Sequence, residues 1–283
     1  MNKFLTLISI YTYDEKLKGY LMGILSCSNQ KEREEMKPEK AGGHGDHWFT
    51  VVESDNEIES AFFKGIENPE FVESLDQKRD KIKAYFSKGG MLKSCTVTVN
   101  NEIWTAYPFA ADGIAHEITI HGIEEWTNGQ EAQIRCTLEG ASLAFFDTMY
   151  FKNKGIYEQS KKYTFHLSAL AYYLTKLETG DLLDRNITIT PEKGAAGFFW
   201  FNKGDIDDFI FLAPVKEVTE LKFENRTVYR IKAPLFREGP LYRLNGEDDV
   251  DLFIFVLASR TGGYIPAVGD DITGIMWLQG YIK

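Results

Sequence analysis

The sequence predicts a mainly β protein, with an α+β N-terminal region followed by two related small β-barrel-like domains. Three observations carry that expectation. Residues 142–165 and 251–274 superpose without a gap, so that Leu143 meets Leu252, Phe146 meets Phe255, Tyr163 meets Ile272 and Thr164 meets Thr273. In each copy an apolar strand leads through a glycine-containing loop (Gly155; Gly262 and Gly263) to a charged pair that opens another apolar strand. Similarity at so long a spacing marks related domains, because solenoid repeats span only roughly 20 to 50 residues. The second observation is an aromatic share of 14%, with 20 Phe and 14 Tyr, since flat rings fit a pleated, half-buried surface. The third is a succession of short apolar runs separated by turn residues, among which Asn128-Gly129 is the strongest short hairpin signal.

Taken in order, residues 4–13 and 20–25 form a hairpin turned at Asp14-Glu15-Lys16. Residues 30–40 are a charge run ending in Ala41-Gly42-Gly43, read as an exposed loop or short solvated helix. Residues 48–52 read as a short strand. A helix is expected after Asn68, an N-cap with Pro69 at the first helical position. Its apolar stripe is Phe71, Val72, Leu75, Ile82, Tyr85 and Phe86, and Gly89-Gly90 stops it. It would cover a hairpin over 96–104 turned at Asn100-Asn101, residues that tolerate the left-handed conformation. Strands follow over 118–126, 131–138, 142–151 and 163–174, then over 209–215, 227–233, 251–258 and 272–281. The boundaries read as 1–110 for the α+β region, 111–178 for the first barrel-like domain, 179–207 for a linker and 208–283 for the second. The linker carries the aromatic block Phe198-Phe199-Trp200-Phe201, too apolar to be left in water and expected to pack between domains. At the level of pattern the strand sets resemble OB-like barrels.

Composition narrows the function classes. A chain of 283 residues with 43% hydrophobic and 26% charged residues is ordinary for a soluble, folded protein. A net charge of -10 repels phosphate backbones, so a nucleic-acid partner is disfavoured. Three cysteines make no disulfide framework. Cys95 and Cys136 lie in phase with apolar neighbours and read as buried, inert thiols. No segment approaches the 18 or more apolar residues of a membrane span. A cytoplasmic location is expected. The alternative is an envelope lipoprotein, because Ile24-Leu25-Ser26-Cys27 resembles a bacterial lipoprotein processing site, although Asp14, Glu15, Lys16 and Lys18 interrupt the apolar stretch before it.

Two candidate sites stand out. Lys152, Lys154, Tyr157, Lys161, Lys162 and Tyr163 form a basic stretch with interleaved aromatics, on the loop that a small barrel would present to a ligand. With its counterpart 260–266 it is the expected binding surface for a protein or small polar ligand, and a non-enzymatic binding or interaction protein of bacterial type is the favoured reading. His44-Gly45-Asp46-His47 is the second. It resembles part of the metal-binding His-x-His-x-Asp-His run of metallo-β-lactamase-like hydrolases, with His44, Asp46 and His47 matching its last three ligands and Gly42 standing where the first His would be. That resemblance implies a metal-dependent hydrolase holding zinc or manganese; apart from it, no cofactor is expected. His116, His121 and His166 read as unrelated side chains. The acidic runs at Asp205, Asp207 and Asp208 and at Glu247, Asp248, Asp249 and Asp251 read as solvated turns.

Overall fold

A computed structural model describes residues 44–76, 80–177, 182–184, 187–189, 192–237 and 249–283. The N-terminal hairpin, the charge run and the Cys27 signal expected from the sequence lie outside these residues.

Ser54 opens helix α1 (Asp55–Glu67). Glu57 Oε2 accepts the backbone N–H groups of Ser54 and Glu53 at 3.2 and 2.7 Å, so two amides near the helix start are satisfied by one side chain. The helix stops at Asn68, whose N–H reaches Lys64 O, and Pro69 prevents its continuation. Asn68-Pro69 is thus a helix end, which corrects the helix start predicted there. The segment expected to be helical is instead two strands, β1 (Pro69–Asp76) and β2 (Lys81–Ser87). Ile82, Ala84 and Phe86 are fully buried and the residues between them are not, a period of two that the helical stripe had overlaid. The strand predicted over 48–52 is also corrected. It is a 3₁₀ turn (Gly45–Thr50), in which the amides of Trp48 and Val51 bond back to His44 O and Trp48 O. This turn seats the Trp48 ring in the core, with Nε1–H donated to Ala106 O at 3.1 Å.

Strands β3 (Leu92–Val99) and β4 (Glu102–Ala110) form the expected hairpin, with Asn100 and Asn101 at φ 54° and 70°. The order β1-β2-β3-β4 is an antiparallel meander. Strand β3 is buried along its whole length. Helix α1 covers one of its faces, where Ser94 Oγ–H reaches Ala61 O at 3.0 Å.

The larger sheet begins with the meander β5 (Ile114–Glu125), β6 (Ala132–Leu138) and β7 (Ala141–Asp147). The short helix α2 (Tyr150–Asn153) and a 3₁₀ turn (Lys154–Ile156) lead to β8 (Lys162–Lys176), which pairs back onto β5. After the two-stranded β9 (Leu182–Asp184) and β10 (Ile187–Ile189) come β11 (Gly197–Trp200), β12 (Asp208–Pro214), β13 (Glu217–Phe223), β14 (Arg226–Arg237), β15 (Asp249–Leu257) and β16 (Asp271–Tyr281). Strand β16 lies antiparallel to β8 and parallel to β7, closing the barrel β5-β6-β7-β16-β8. The other strands extend the same sheet: β12 and β11 beyond β16, and β15, β14 and β13 beyond β8. The two separate OB-like barrels expected from the sequence are therefore not what the described residues form. One closed barrel takes its fifth strand from the far end of the chain, and the segment read as a linker carries strands.

Alternation along β16 joins the two layers. Ile272, Met276 and Leu278 enter the barrel core, whereas Trp277 and Tyr281 face the four-stranded sheet. Gln279, nearly fully buried, caps that sheet by donating Nε2–H to Pro108 O at 2.8 Å and accepting the Ala110 N–H at 3.1 Å. The β8–β16 crossing is close: a Cβ on Gly274 would stand 2.1 Å from Tyr173 O. No helix among the described residues is long and apolar enough to cross a membrane.

Candidate functional site

The 3₁₀ turn places His44 and His47 on one side of the backbone, as residues three apart in such a turn nearly eclipse. They are only 2% and 3% exposed. Their rings are held by stacking, His44 on Trp126 with centroids 4.7 Å apart and His47 on Trp277 at 4.0 Å. Three polar groups then line up. Glu131 Oε1 meets His44 Nε2 at 2.5 Å, and His44 Nδ1 meets His47 Nδ1 at 3.0 Å. Glu131 itself accepts from Thr105 Oγ1 at 2.9 Å and from Asn128 Nδ2.

This arrangement assigns one proton. A carboxylate only accepts, so the proton between Glu131 and His44 belongs to Nε2. Both ring nitrogens of His44 are thereby engaged, and His47 is engaged at Nδ1. Burial, with the His44 ring beside it, holds His47 well below its usual pKa and so in the neutral form. His47 Nε2 has no hydrogen-bond partner, and it faces Asp205 Oδ2 at 3.8 Å.

The facing carboxylates come from the turn before β12. Phe201 N donates to Asp208 O at 3.0 Å and Asp205 N to Asp208 Oδ2 at 2.9 Å, which folds the turn on itself. Leu278 N donates to Asp207 O at 2.9 Å and ties it to β16. Asp207 is fully buried, and Gln133 Nε2 and Trp277 Nε1 donate to its two oxygens at 2.9 and 3.0 Å. Burial, reinforced by Asp205, raises the Asp207 carboxyl to about 7. Asp208 is buried too, takes Tyr172 OH at 2.9 Å, and is raised well above the ordinary carboxylate range by burial and then by Asp207. Asp205 is half exposed at its side chain (55%) and Asp46 is exposed, so the cluster has one wet side. One ligand atom each from His47, Asp205 and Asp207 lies within 4.8 Å of the others.

Of the residues singled out in the sequence, His44 and His47 are thus brought together, with Asp46 on the solvent side of the same turn. The reading of Asp205, Asp207 and Asp208 as a solvated turn is corrected, since two of the three are interior. The second acidic run is corrected as well. Asp249 is 1% exposed at its side chain and pairs with Arg237 Nε and Lys216 Nζ, both at 2.7 Å, and Asp251 pairs with Lys216 at 2.7 Å. Glu247 and Asp248 lie outside the described residues.

The basic, aromatic stretch is tied into the surface. Lys152 pairs with Glu73 at 3.0 Å, Lys161 with Glu158 at 2.6 Å and Lys162 with Glu117 at 3.8 Å. Lys154 Nζ donates to Gly129 O at 2.8 Å, Tyr163 OH to Ile156 O at 2.8 Å, and Tyr157 OH to the buried Asp147. The remaining histidines are apart. His116 meets Asp251 O at 2.8 Å, His121 meets Thr137 Oγ1 at 2.6 Å, and His166 meets Gly113 O at 3.1 Å. Cys95 and Cys136 are buried, and burial raises both thiols, Cys136 to about 12. Set against family profiles, curated proteins and solved structures, the chain matches none of them.

Proposed function

We propose that this chain is a non-enzymatic interaction protein built from two related units, 111–178 and 208–283, each offering one rigid, apolar-tipped loop to a protein partner. The observation that carries the reading is the pair of loops that precede β8 and β16. Ser160 N donates to Ile120 O at 2.7 Å, Ile120 N to Lys161 O at 3.1 Å and Lys161 N to Glu158 O at 3.3 Å. The same three bonds recur as Gly269 N to Val215 O at 2.9 Å, Val215 N to Asp270 O at 2.8 Å and Asp270 N to Ala267 O at 3.1 Å. Ser160 and Gly269 both adopt positive φ, 65° and 86°. The offset that carries Leu143 onto Leu252 also carries Ile156 onto Ile265. These two side chains are 51% and 71% exposed, and Val268 beside the second is 68% exposed. Aliphatic side chains held out on tightly bonded loops lose little freedom when covered, which favours their use as contacts.

Strand pairing supports the relation between the units. Phe146 pairs in parallel with Gln279, and under the same offset Phe255 pairs in parallel with Leu170. Each unit thus lends its last strand to the other. Because β8 and β16 run antiparallel, the two loops that feed them point to opposite ends of the sheet. A two-ended connector is the role this geometry fits, with Lys152, Lys154, Tyr157, Lys161, Lys162 and Tyr163 framing the first end.

Co-purification from cells with Ile156→Asp and with Ile265→Asp/Val268→Asp tests this reading. Each variant is expected to lose a partner that the other keeps. Retention of every wild-type partner by the combined variant overturns it.

A further inference from the structure

The cluster at the 3₁₀ turn is not used by the docking role, and it carries a separate conclusion. We infer that His47, Asp205 and Asp207 form a divalent-cation site, selective by its donors for zinc or manganese. Its strongest support is His47 Nε2, in a side chain only 3% exposed, which has no hydrogen-bond partner and faces the carboxylates of Asp205 and Asp207. A buried imidazole nitrogen left unpaired beside two carboxyl groups is costly, and a cation ligated by all three satisfies it.

The surroundings match what a bound ion requires. In ligating histidines the second ring nitrogen is ordinarily held by a hydrogen-bond partner that fixes the ring. The Nδ1 of His47 is held by His44, His44 by Glu131, and Glu131 by Thr105 and Asn128. Asp207 is oriented on both oxygens by Gln133 and Trp277. Asp205 is half exposed, so its carboxylate can close by rotation. Ligand atoms at roughly 2.0 to 2.2 Å from a tetrahedral ion stand about 3.4 Å apart, and the 3.8 Å from His47 Nε2 to Asp205 Oδ2 needs only a small closure. Asp46, close enough to act electrostatically on Asp205, adds negative charge on the wet side, where water completes the shell. One imidazole with carboxylates suits zinc or manganese better than copper or calcium.

The sequence pattern alone pointed to His44, Asp46 and His47 as ligands. Here both nitrogens of His44 are already engaged, by Glu131 and by His47, so its role is to orient His47. Two of the three ligands come from the turn before β12. The ion would therefore clamp the 3₁₀ turn to that turn and, through Leu278 N and Trp277, to β16.

The test uses the full chain, stripped with chelator and titrated calorimetrically with zinc chloride and with manganese chloride. Elemental analysis gives the stoichiometry, and thermal unfolding is followed with and without the ion. One ion per chain is expected for at least one of the two metals, with a rise in melting temperature on binding. Asp205→Asn is expected to weaken binding by about tenfold or more, and His47→Gln to abolish it together with the thermal shift. If His47→Gln proves unfolded by circular dichroism, Asp205→Asn, at a half-exposed position, decides alone. The inference is overturned if neither metal binds at micromolar concentration, or if binding and thermal shift are the same in wild type and Asp205→Asn. Neither result depends on the loop variants, so this site and the docking role stand or fall separately.

Discussion

Residues 142–165 and 251–274, aligned at one offset, end in loops with matching backbone bonds but differ in what fills matching positions. Asp147, buried and bonded to Tyr157 OH and Met149 N, aligns with Val256, which is equally buried. Phe165, filling the barrel, aligns with Gly274, where β16 passes close to β8. The two segments thus accommodate a carboxyl or a valine, a ring or no side chain, at matching places, and the difference between them is where each buries charge and bulk.

That contrast can be broken first at Phe165. Phe165→Ala removes a fully buried ring packed on Phe145 with centroids 4.8 Å apart, and a loss of about 3 to 5 kcal/mol is expected in urea unfolding. A loss below about 1 kcal/mol would mean that the barrel collapses onto the space as it already does around Gly274.

Asp147 tests the buried charge. Burial raises its carboxyl to about 7 from 3.8, while the bonds from Tyr157 and Met149 pull the other way. A folded pKa above the unfolded one means that the folded chain holds its proton longer, so the contribution of this group is most favourable below the unfolded value and is lost as pH rises towards 7. Asp147→Asn removes that slope. The stability of wild type relative to the variant is expected to fall between pH 4 and 7 by on the order of 3 kcal/mol. Parallel stability profiles for the two proteins across that window would place the Asp147 charge in contact with solvent.

Gly274→Ala is expected to cost about 1 to 3 kcal/mol, because the added methyl meets the backbone oxygen of Tyr173, which cannot swing aside. Placing alanine at Gly129 or Gly140 does not test the crossing, since both have positive φ in open turns. The smallest effects belong to the loop tips. Ile156→Ser and Ile265→Ser are expected to leave stability within about 0.5 kcal/mol of wild type. A larger, equal loss at both tips would make them part of the fold instead of contact surface.

Local patterns were readable where their partners are local. The Asn100-Asn101 and Asn128-Gly129 hairpins, the buried phase of Cys95 and Cys136, and the apolar positions shared by 142–165 and 251–274 each follow from a few neighbouring residues. The helix expected after Asn68 and stopped by Gly89-Gly90 failed for a local reason as well. Phe71, Leu75, Ile82 and Phe86 satisfy both a helical stripe and strand alternation, and Asn68-Pro69 can either open or close a helix; Ser54 and Glu57 were the signal that the helix lay before it. At the candidate site, His44 and His47 were visible as a pair because they sit three apart. Asp207 was not, because its donors Gln133 and Trp277 lie 74 and 70 positions away.

By itself the sequence determined most of the strands from β3 onward, the apolar phase along them and the hairpin turns at Asn100-Asn101 and Asn128-Gly129, because steric preference and alternation act over a few residues. The tertiary structure decided which strands pair and which acids are interior. β16 joins β7 and β8 instead of closing a barrel of its own, since partner choice rests on the fit of whole apolar faces. The carboxyl of Asp207 and the unpaired nitrogen of His47 owe their states to burial by groups distant in the chain, and no run of neighbouring residues encodes that environment.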